Sequence, residues 1–438
     1  MFESLRPIFP ETASVTPENH LAIGGTDVAE LVERFGSPLY VFDEATLRSQ
    51  CRRFVEEFSA RYPNVLVAYA AKAFLTRPLA RILAGEGLGL DVVSAGELAI
   101  ARAAEYRPEL VYFHGNNKSP EELREALDWG IGRVVVDNFH ELQILGGLAA
   151  KSGSRPEILL RLSPGVDPHT HQHTTTGIVD SKFGFTMENG DAERAVACAQ
   201  ASASLRLVGI HIHLGSPIYE TGPFQEGIET ALAFASTMRD RHGLELQEFS
   251  PGGGFPIQYT VDRPAPPIGE FAEVICNALK EGCRRHGFDL PRLVIEPGRA
   301  VVGRAGVAVY TAGAIKRIPG VRKYVSVDGG MGDNIRPAIY GSRYEAVVAN
   351  RVEAGDRETV TIAGKYCESG DILVRDAELP TVGPGDLIAI AASGAYCIPM
   401  SSNYNAVPRP AIVLVNEGQA RLLRRRESIE DLMRLDVD

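Results

Sequence analysis

"VLVAYAAKAF", residues 65–74, decides how the rest of the chain is read. Val65 to Ala70 form an apolar run of strand length, and Lys72 follows where that run should end. A lysine in this place is ordinarily a surface residue, so its meaning depends on whether the pattern recurs. It recurs seven more times: "LGLDVVSA" (88–95), "LVYFHG" (110–115), "RVVVDN" (133–138), "EILLRLSP" (157–164), "LVGIHIHLG" (207–215), "EFSPGGG" (248–254) and "RLVIEPGR" (292–299). Helix signals lie between the runs. "SAGELAIARAAEY" opens with Ser94 three residues before Glu97, a capping-box spacing. "SPEELREALDWG" has Ser119 as cap, Pro120 at the first helical position and Gly130 as the stop. Eight strand–helix alternations predict an α/β fold, a parallel (β/α)8 barrel of the TIM type, over residues 43–305. An open doubly wound sheet is the competitor, but the span from 65 to 299 suits the roughly 250 residues of a barrel better.

After residue 305 the texture changes. "AGVAVYTAGAIKRI", "KYVSVDGG", "ETVTIAGKYC", "DLIAIAASGAYCI" and "RPAIVLVNEGQARLLRRR" are rich in valine and isoleucine, with glycine turns and few helices. They predict a C-terminal antiparallel β domain. Its expected extent is residues 1–42 with 306–438, the strand Leu39 to Phe42 being the segment that could belong to either part.

Bulk properties exclude several classes. The chain has 438 residues, 45% hydrophobic and 23% charged, an ordinary globular balance. A net charge of −11 argues against a nucleic-acid or anionic-membrane partner. The six cysteines show no CxxC pair and no zinc-like spacing. The opening "MFESLRPIFPETASVTPENH" lacks the basic and apolar regions of a signal peptide, and no apolar stretch approaches the roughly 20 residues of a membrane span. The expected setting is a reducing cytoplasm.

In a barrel, chemistry sits at the carboxyl ends of the strands. Those ends carry Lys72, Asp91 with Ser94, His114, Asn138, Arg161, His211 with His213, Gly252 to Gly254, and "EPGR" (296–299). Each tip is polar or glycine-rich while the strand bodies are apolar. Gly252, Gly253 and Gly254 let backbone N–H groups approach an anion, and Gly298 with Arg299 supports a phosphate held by the loops after strands 7 and 8. "HIH" places His211 and His213 on one strand face, a spacing that a metal could use. Three or four converging ligands are wanted, so the favoured reading has no metal, with His213 stacking or hydrogen-bonding and His211 packed deeper. The "HTHQH" run (169–173) reads as a solvated loop.

A lysine at the first strand tip can form an imine with a carbonyl, and the phosphate site suggests that the carbonyl compound is phosphorylated. An aldolase acting on a sugar phosphate and an enzyme holding pyridoxal 5'-phosphate both meet this description. The second needs a partner for the pyridine nitrogen. Glu296 can serve, and a carboxylate there keeps the ring protonated, as decarboxylation requires and an aldolase does not.

At this point the sequence resembles the alanine-racemase-fold, fold type III decarboxylases that use pyridoxal phosphate, and most closely the diaminopimelate decarboxylase family. The resemblance covers nearly the whole chain. It rests on "YAAKAF" (69–74), "DVVSAGEL" (91–98), "HTHQHTTTGIVDSKFG" (169–184), "HIHLGS" (211–216), "PGGGF" (251–255), "EPGR" (296–299), "VDGGMGDNIRPAIYG" (327–341), "YCESGDIL" (366–373) and "GAYCIPMSSNYN" (394–405). It implies decarboxylation of meso-2,6-diaminopimelate to L-lysine and CO2, the last step of lysine biosynthesis. By the same resemblance Lys72 is the cofactor lysine, His213 stacks on the ring and Glu296 meets the pyridine nitrogen. Ser216, Gly254 and the backbone of Gly298 and Arg299 hold the phosphate, with Asp91, Gly253, Pro297 and Tyr396 completing the cofactor set. Cys367 is implied as proton donor, entering from the second subunit of a homodimer. Arg299, Arg336, Tyr340, Glu368 and Tyr396 are implied to grip the substrate. Physical chemistry agrees with this grip, since arginines match a distal carboxylate in bidentate fashion and Glu368 matches an ammonium. Two departures stand out: Phe74 replaces a usual asparagine, and Cys397 stands where relatives often carry glycine. The alternatives are a related decarboxylase acting on another amino acid with a distal carboxylate or carrier attachment, a metal-dependent barrel hydrolase built on His211 and His213, and a non-catalytic regulatory homologue.

Overall fold

The computed structural model describes residues 2–167, 176, 180–353 and 355–437. The chain forms two compact units, one of residues 51–256 and 266–298, the other of residues 1–50, 257–265 and 299–438.

The first unit is the barrel. Its strands are β1 (Val65–Ala70), β2 (Gly89–Val92), β3 (Val111–Phe113), β4 (Arg133–Val136), β5 (Glu157–Ser163), β6 (Arg206–Ile212), β7 (Glu248–Gly252) and β8 (Arg292–Ile295). Each pairs in parallel with the next, and β8 with β1 closes the ring. A closed ring leaves no strand edge open, which is how a parallel sheet with helices on its outside is satisfied. The barrel centre is filled by Leu66, Ala68, Tyr112, Val135, Leu159, Val208 and Val294. Below this layer, at the amino ends of the strands, Arg133 pairs with Glu248 at 3.0 Å and with Glu157, and Arg292 approaches Glu248 at 3.9 Å. This ionic plug lies at the end of a barrel that serves stability rather than chemistry.

The helices begin where the sequence indicates. Ser119 and Glu122 form a complete capping box ahead of helix Pro120–Trp129, which stops at Gly130 in the left-handed conformation. Ser94 caps helix Ala95–Ala103, but Glu97 turns its carboxylate to the N–H of Val93 at 2.7 Å, so only half of the expected box forms. Asn138 likewise caps helix Phe139–Ser152.

The second unit is a mixed sheet. Strand Gly306–Ile318 runs antiparallel to Leu39–Asp43, Arg322–Val327 and Leu387–Ile390. Two pairings are parallel, Leu39–Asp43 with Ala411–Asn416 and Arg322–Val327 with Arg357–Ala363. The others among the described residues are antiparallel, as the glycine turns suggest. Leu39, Val41, Val307, Val309, Ala389, Val413 and Val415 form part of its core. Leu39–Asp43 is the central example of a sequence segment with two possible homes, and the pairing assigns it to this sheet. Among the described residues no helix is long and apolar enough to cross a membrane.

Candidate active site

Strand alternation carries the barrel from its apolar layer to a polar one. Two residues beyond Tyr112, Val135, Leu159 and Val294 come His114, Asp137, Arg161 and Glu296, which return to the inside and are buried. Asp91 stands in register between Ala70 and Tyr112, and His211 between Arg161 and Ser250. Lys72 follows β1 on the short turn Ala71–Ala73 and is exposed between buried neighbours. The turn is fixed from both sides. Ala70 N–H donates to the Pro297 carbonyl at 3.1 Å, and the Tyr69 hydroxyl donates to the Phe74 carbonyl at 2.7 Å. Phe74 itself is buried.

Glu296 is the centre of the polar layer. Its Oε1 accepts from Ser250 Oγ at 2.9 Å, its Oε2 lies 3.1 Å from His211 Nε2, and His114 Nε2 stands 3.6 Å away. Burial alone raises a carboxyl pKa, but His211 and His114 outweigh it and hold Glu296 well below the ordinary range. Asp91 shifts the opposite way: burial and then the charge of Glu296 push it up, against Lys72. Two nearby carboxyls in unlike surroundings are thereby split, and Glu296 is the one that ionises first. Burial holds His114 below the ordinary imidazole range, against the opposing pull of Glu296. Ligand atoms of His114, His211 and Glu296 lie within 4.8 Å of one another, so His211 is gathered with these two. His213 turns its Nδ1 to the N–H of Gly253 at 3.3 Å. Burial, Lys72 and Arg161 keep it well below its usual pKa. His169, His171 and His173 lie outside the described residues.

The glycine loop after β7 is glycine by necessity. A Cβ on Gly253 would stand 2.0 Å from the carbonyl oxygen of Glu296. Gly254 has φ +104°, and a Cβ there would meet the Gly215 carbonyl at 2.4 Å. The Gly254 carbonyl in turn accepts from Ile218 N–H at 2.8 Å, which ties this loop to the one that carries Ser216.

The second unit contains its own cluster of predicted residues. Arg299 and Arg336 are each 5% exposed. Their guanidinium nitrogens donate to the same phenol oxygen, that of Tyr259, at 2.6 and 3.1 Å. Arg336 also bonds the Tyr344 hydroxyl, and Arg299 lies 4.9 Å over the ring of Tyr396. Tyr396 has φ +65°, a costly conformation for a residue with a side chain and one that clusters at functional sites. Cys397 is buried 3.7 Å from the Tyr344 hydroxyl, and burial pushes its thiol up to about 11.

Cys367 and Glu368 belong to a different group. Both are exposed on the loop 366–371. Cys367 N–H donates to Asn405, and Glu368 accepts from the Tyr404 hydroxyl at 2.9 Å. Asp371 holds the loop, accepting from Tyr366 N–H at 2.8 Å and from Met331 N–H at 2.6 Å. Tyr340 ends the short helix that begins at Arg336. Of the remaining cysteines, Cys51, Cys276 and Cys283 are buried as expected of packing residues, while Cys198 is exposed on helix Asp191–Ala201.

Residues 44–303 match the family described as pyridoxal-dependent decarboxylase, pyridoxal binding domain. The diaminopimelate decarboxylase of Bacillus subtilis (strain 168) is 47% identical over 426 residues, covering 97% of this chain and 97% of the relative. That of Synechocystis sp. is 45% identical, covering 98% of this chain and 92% of the relative. A crystal structure of diaminopimelate decarboxylase from M. jannaschii in co-complex with L-lysine has a TM-score of 0.92 at 34% identity, with 98% of each chain covered. The chain belongs to the diaminopimelate decarboxylase family.

The barrel residues fit the cofactor that this family membership implies. Asp91 Oδ1 and His114 Nε2 are buried polar atoms without a hydrogen-bond partner among the described residues. Buried polar groups are otherwise nearly always partnered. The Gly253–Gly254 loop leaves backbone where no side chain fits, Glu296 is an anion suited to a pyridinium, and Lys72 is an exposed amine. Sequence reasoning assigned no role to His114 or Ser250, and it missed Tyr259 and Tyr344 altogether. Tyr259 lies 40 and 77 positions from the two arginines that it joins. No local periodicity marks a residue of that kind.

Proposed function

We propose that this protein decarboxylates meso-2,6-diaminopimelate to L-lysine and CO2 with pyridoxal 5'-phosphate, as a cytoplasmic homodimer. The observation that carries the reading is the buried pair Arg299 and Arg336, which share the hydroxyl oxygen of Tyr259, Arg336 bonding that of Tyr344 as well. Two guanidiniums brought together in this way match a carboxylate in bidentate geometry. A substrate without a distal carboxylate, such as lysine or ornithine, gives such a pair nothing to bind.

Lys72 would hold the cofactor, with His213 against the ring and with Ser216, Gly253, Gly254, Pro297, Gly298 and Arg299 around the phosphate. When bound, the cofactor supplies a sink for the electrons left behind by departing CO2. Glu296 stays ionised in the barrel because His211 and His114 hold it so, and it can keep a proton on a ring nitrogen. Asp91 and Tyr396 complete the cofactor surroundings, and Tyr340 joins the arginines at the substrate. Cys367 holds the proton that replaces CO2, and Glu368 receives the distal ammonium. The exposure of both on a loop with partners of its own supports their service to a second subunit.

The test is a substrate panel with the purified, cofactor-loaded protein: meso-diaminopimelate, L-lysine, L-ornithine and L-arginine, scored by CO2 release. Diaminopimelate should be turned over far faster than the others. Preference for a substrate lacking the distal carboxylate would overturn the reading. The competing reading, a relative acting on another amino acid with a distal carboxylate or carrier attachment, draws on Cys397 beside Tyr344, and the same panel extended to such amino acids separates it.

A further inference from the structure

Two buried cations that converge on one oxygen need an explanation. Tyr259 lies in the segment 257–265, which follows β7 in the chain and belongs to the second unit. Its hydroxyl oxygen accepts from Arg299 at 2.6 Å and from Arg336 at 3.1 Å. A hydroxyl oxygen has two acceptor lone pairs, so both bonds are satisfied at once. The Arg336 guanidinium lies 5.0 Å from the Tyr259 ring centroid and 5.7 Å from that of Tyr344. The two rings meet edge to face at 85° and 5.4 Å, which fixes the tilt of Tyr259. Arg299 lies 5.7 Å from the Tyr259 ring as well.

The chemical identity of the bridge matters. A carboxylate here would hold both arginines but neutralise them, and it would compete with any incoming carboxylate. A phenol orients the guanidiniums without consuming their charge. We propose that Tyr259 is a positioning residue that sets the separation and facing of Arg299 and Arg336, so that they take one carboxylate as a pair and select amino acids with a second, distal carboxylate. This rests on the reading given under Proposed function.

The test is Tyr259→Phe in the cofactor-loaded protein, which removes one oxygen and keeps the ring. A hydrogen bond to a charged group is worth enough that KM for meso-diaminopimelate should rise roughly ten- to a hundredfold, with kcat moving far less. Calorimetry supplies a readout independent of turnover: L-lysine, which as product keeps what was the distal carboxylate of diaminopimelate, should bind more weakly by a similar factor, and 1,5-diaminopentane, which lacks it, should bind as before. An unchanged KM, an equal loss for both ligands, or a fall in kcat alone would overturn the proposal. So would a collapse of the melting temperature or of cofactor absorbance, since the residue would then be a structural prop. If the unaltered protein fails to decarboxylate diaminopimelate, the functional reading falls, while the two-ligand comparison still decides the role of Tyr259.

Discussion

Arg336→Met separates a cation kept for substrate from one kept for stability. Arg336 is 5% exposed, and its hydrogen-bond partners are the phenols of Tyr259 and Tyr344. Burial disfavours its charge, yet the two phenols hold it fully charged. Burying a cation carries a desolvation cost that its removal relieves, and this relief offsets the hydrogen bonds to Tyr259 and Tyr344 that are lost with it. The melting temperature of the free variant is therefore expected to stay level or rise. Binding should suffer in the opposite direction. A bidentate guanidinium–carboxylate contact comprises two charge-assisted bonds, together about 3–5 kcal/mol, so kcat/KM should fall about 150- to 5,000-fold. The assay is lysine release across a range of diaminopimelate concentrations, alongside a thermal melt of the same preparation. A variant that melts several degrees lower while keeping its KM would refute the reasoning, because Arg336 would then be a structural residue.

Cys367→Ala should slow lysine release while leaving cofactor absorbance intact, and loss of the bound cofactor would instead make the residue structural. Mixing Lys72→Ala with Cys367→Ala subunits should restore about a quarter of the activity if the two residues meet across a two-fold dimer, and no recovery would contradict a shared site. Glu296→Gln keeps the shape but removes the charge that His211 and His114 stabilise, so kcat should drop on the order of 100-fold or more with the cofactor still bound; a loss below tenfold would contradict its assignment. Asp333 gives a pH prediction. Burial pushes it up to about 6 against bonds from Tyr310, Gly330 and Tyr40. A carboxyl raised on folding contributes stability that is complete below its unfolded pKa of about 3.9 and is lost as pH rises through 6, about 3 kcal/mol in all. Asp333→Asn should flatten that fall in urea titrations between pH 4 and 6, and an unchanged slope would remove the assignment.

The barrel was legible because its strands repeat: eight apolar runs with polar tips, separated by caps such as Ser119, leave few other closed arrangements. The same alternation put Asp91, His114, Arg161 and Glu296 at strand ends, and the structure gathers them in one buried layer. What escaped was pairing at long range. Leu39–Asp43 reads as a strand, but only its hydrogen bonds to Gly306–Ile318 and Ala411–Asn416 say which sheet it joins. Asn138 looked like a site residue and is a helix cap, since both roles want the same polar side chain at a strand–helix junction, whereas the cap at Ser94 was legible from its spacing to Glu97. Tyr259 and Tyr344 gave no sequence signal because their role is set by the partners that the fold brings to them. The order of Glu296 and Asp91 in ionisation depends on two imidazoles, and sequence spacing does not tell which carboxyl they face.

The central claim is that Lys72 carries the cofactor of a diaminopimelate decarboxylation. Purified protein incubated with pyridoxal phosphate should show a visible-edge absorbance band and release equal amounts of L-lysine and CO2 from meso-diaminopimelate, with both signals gone in Lys72→Ala. A colourless protein after incubation, or full lysine release by Lys72→Ala, would contradict the account.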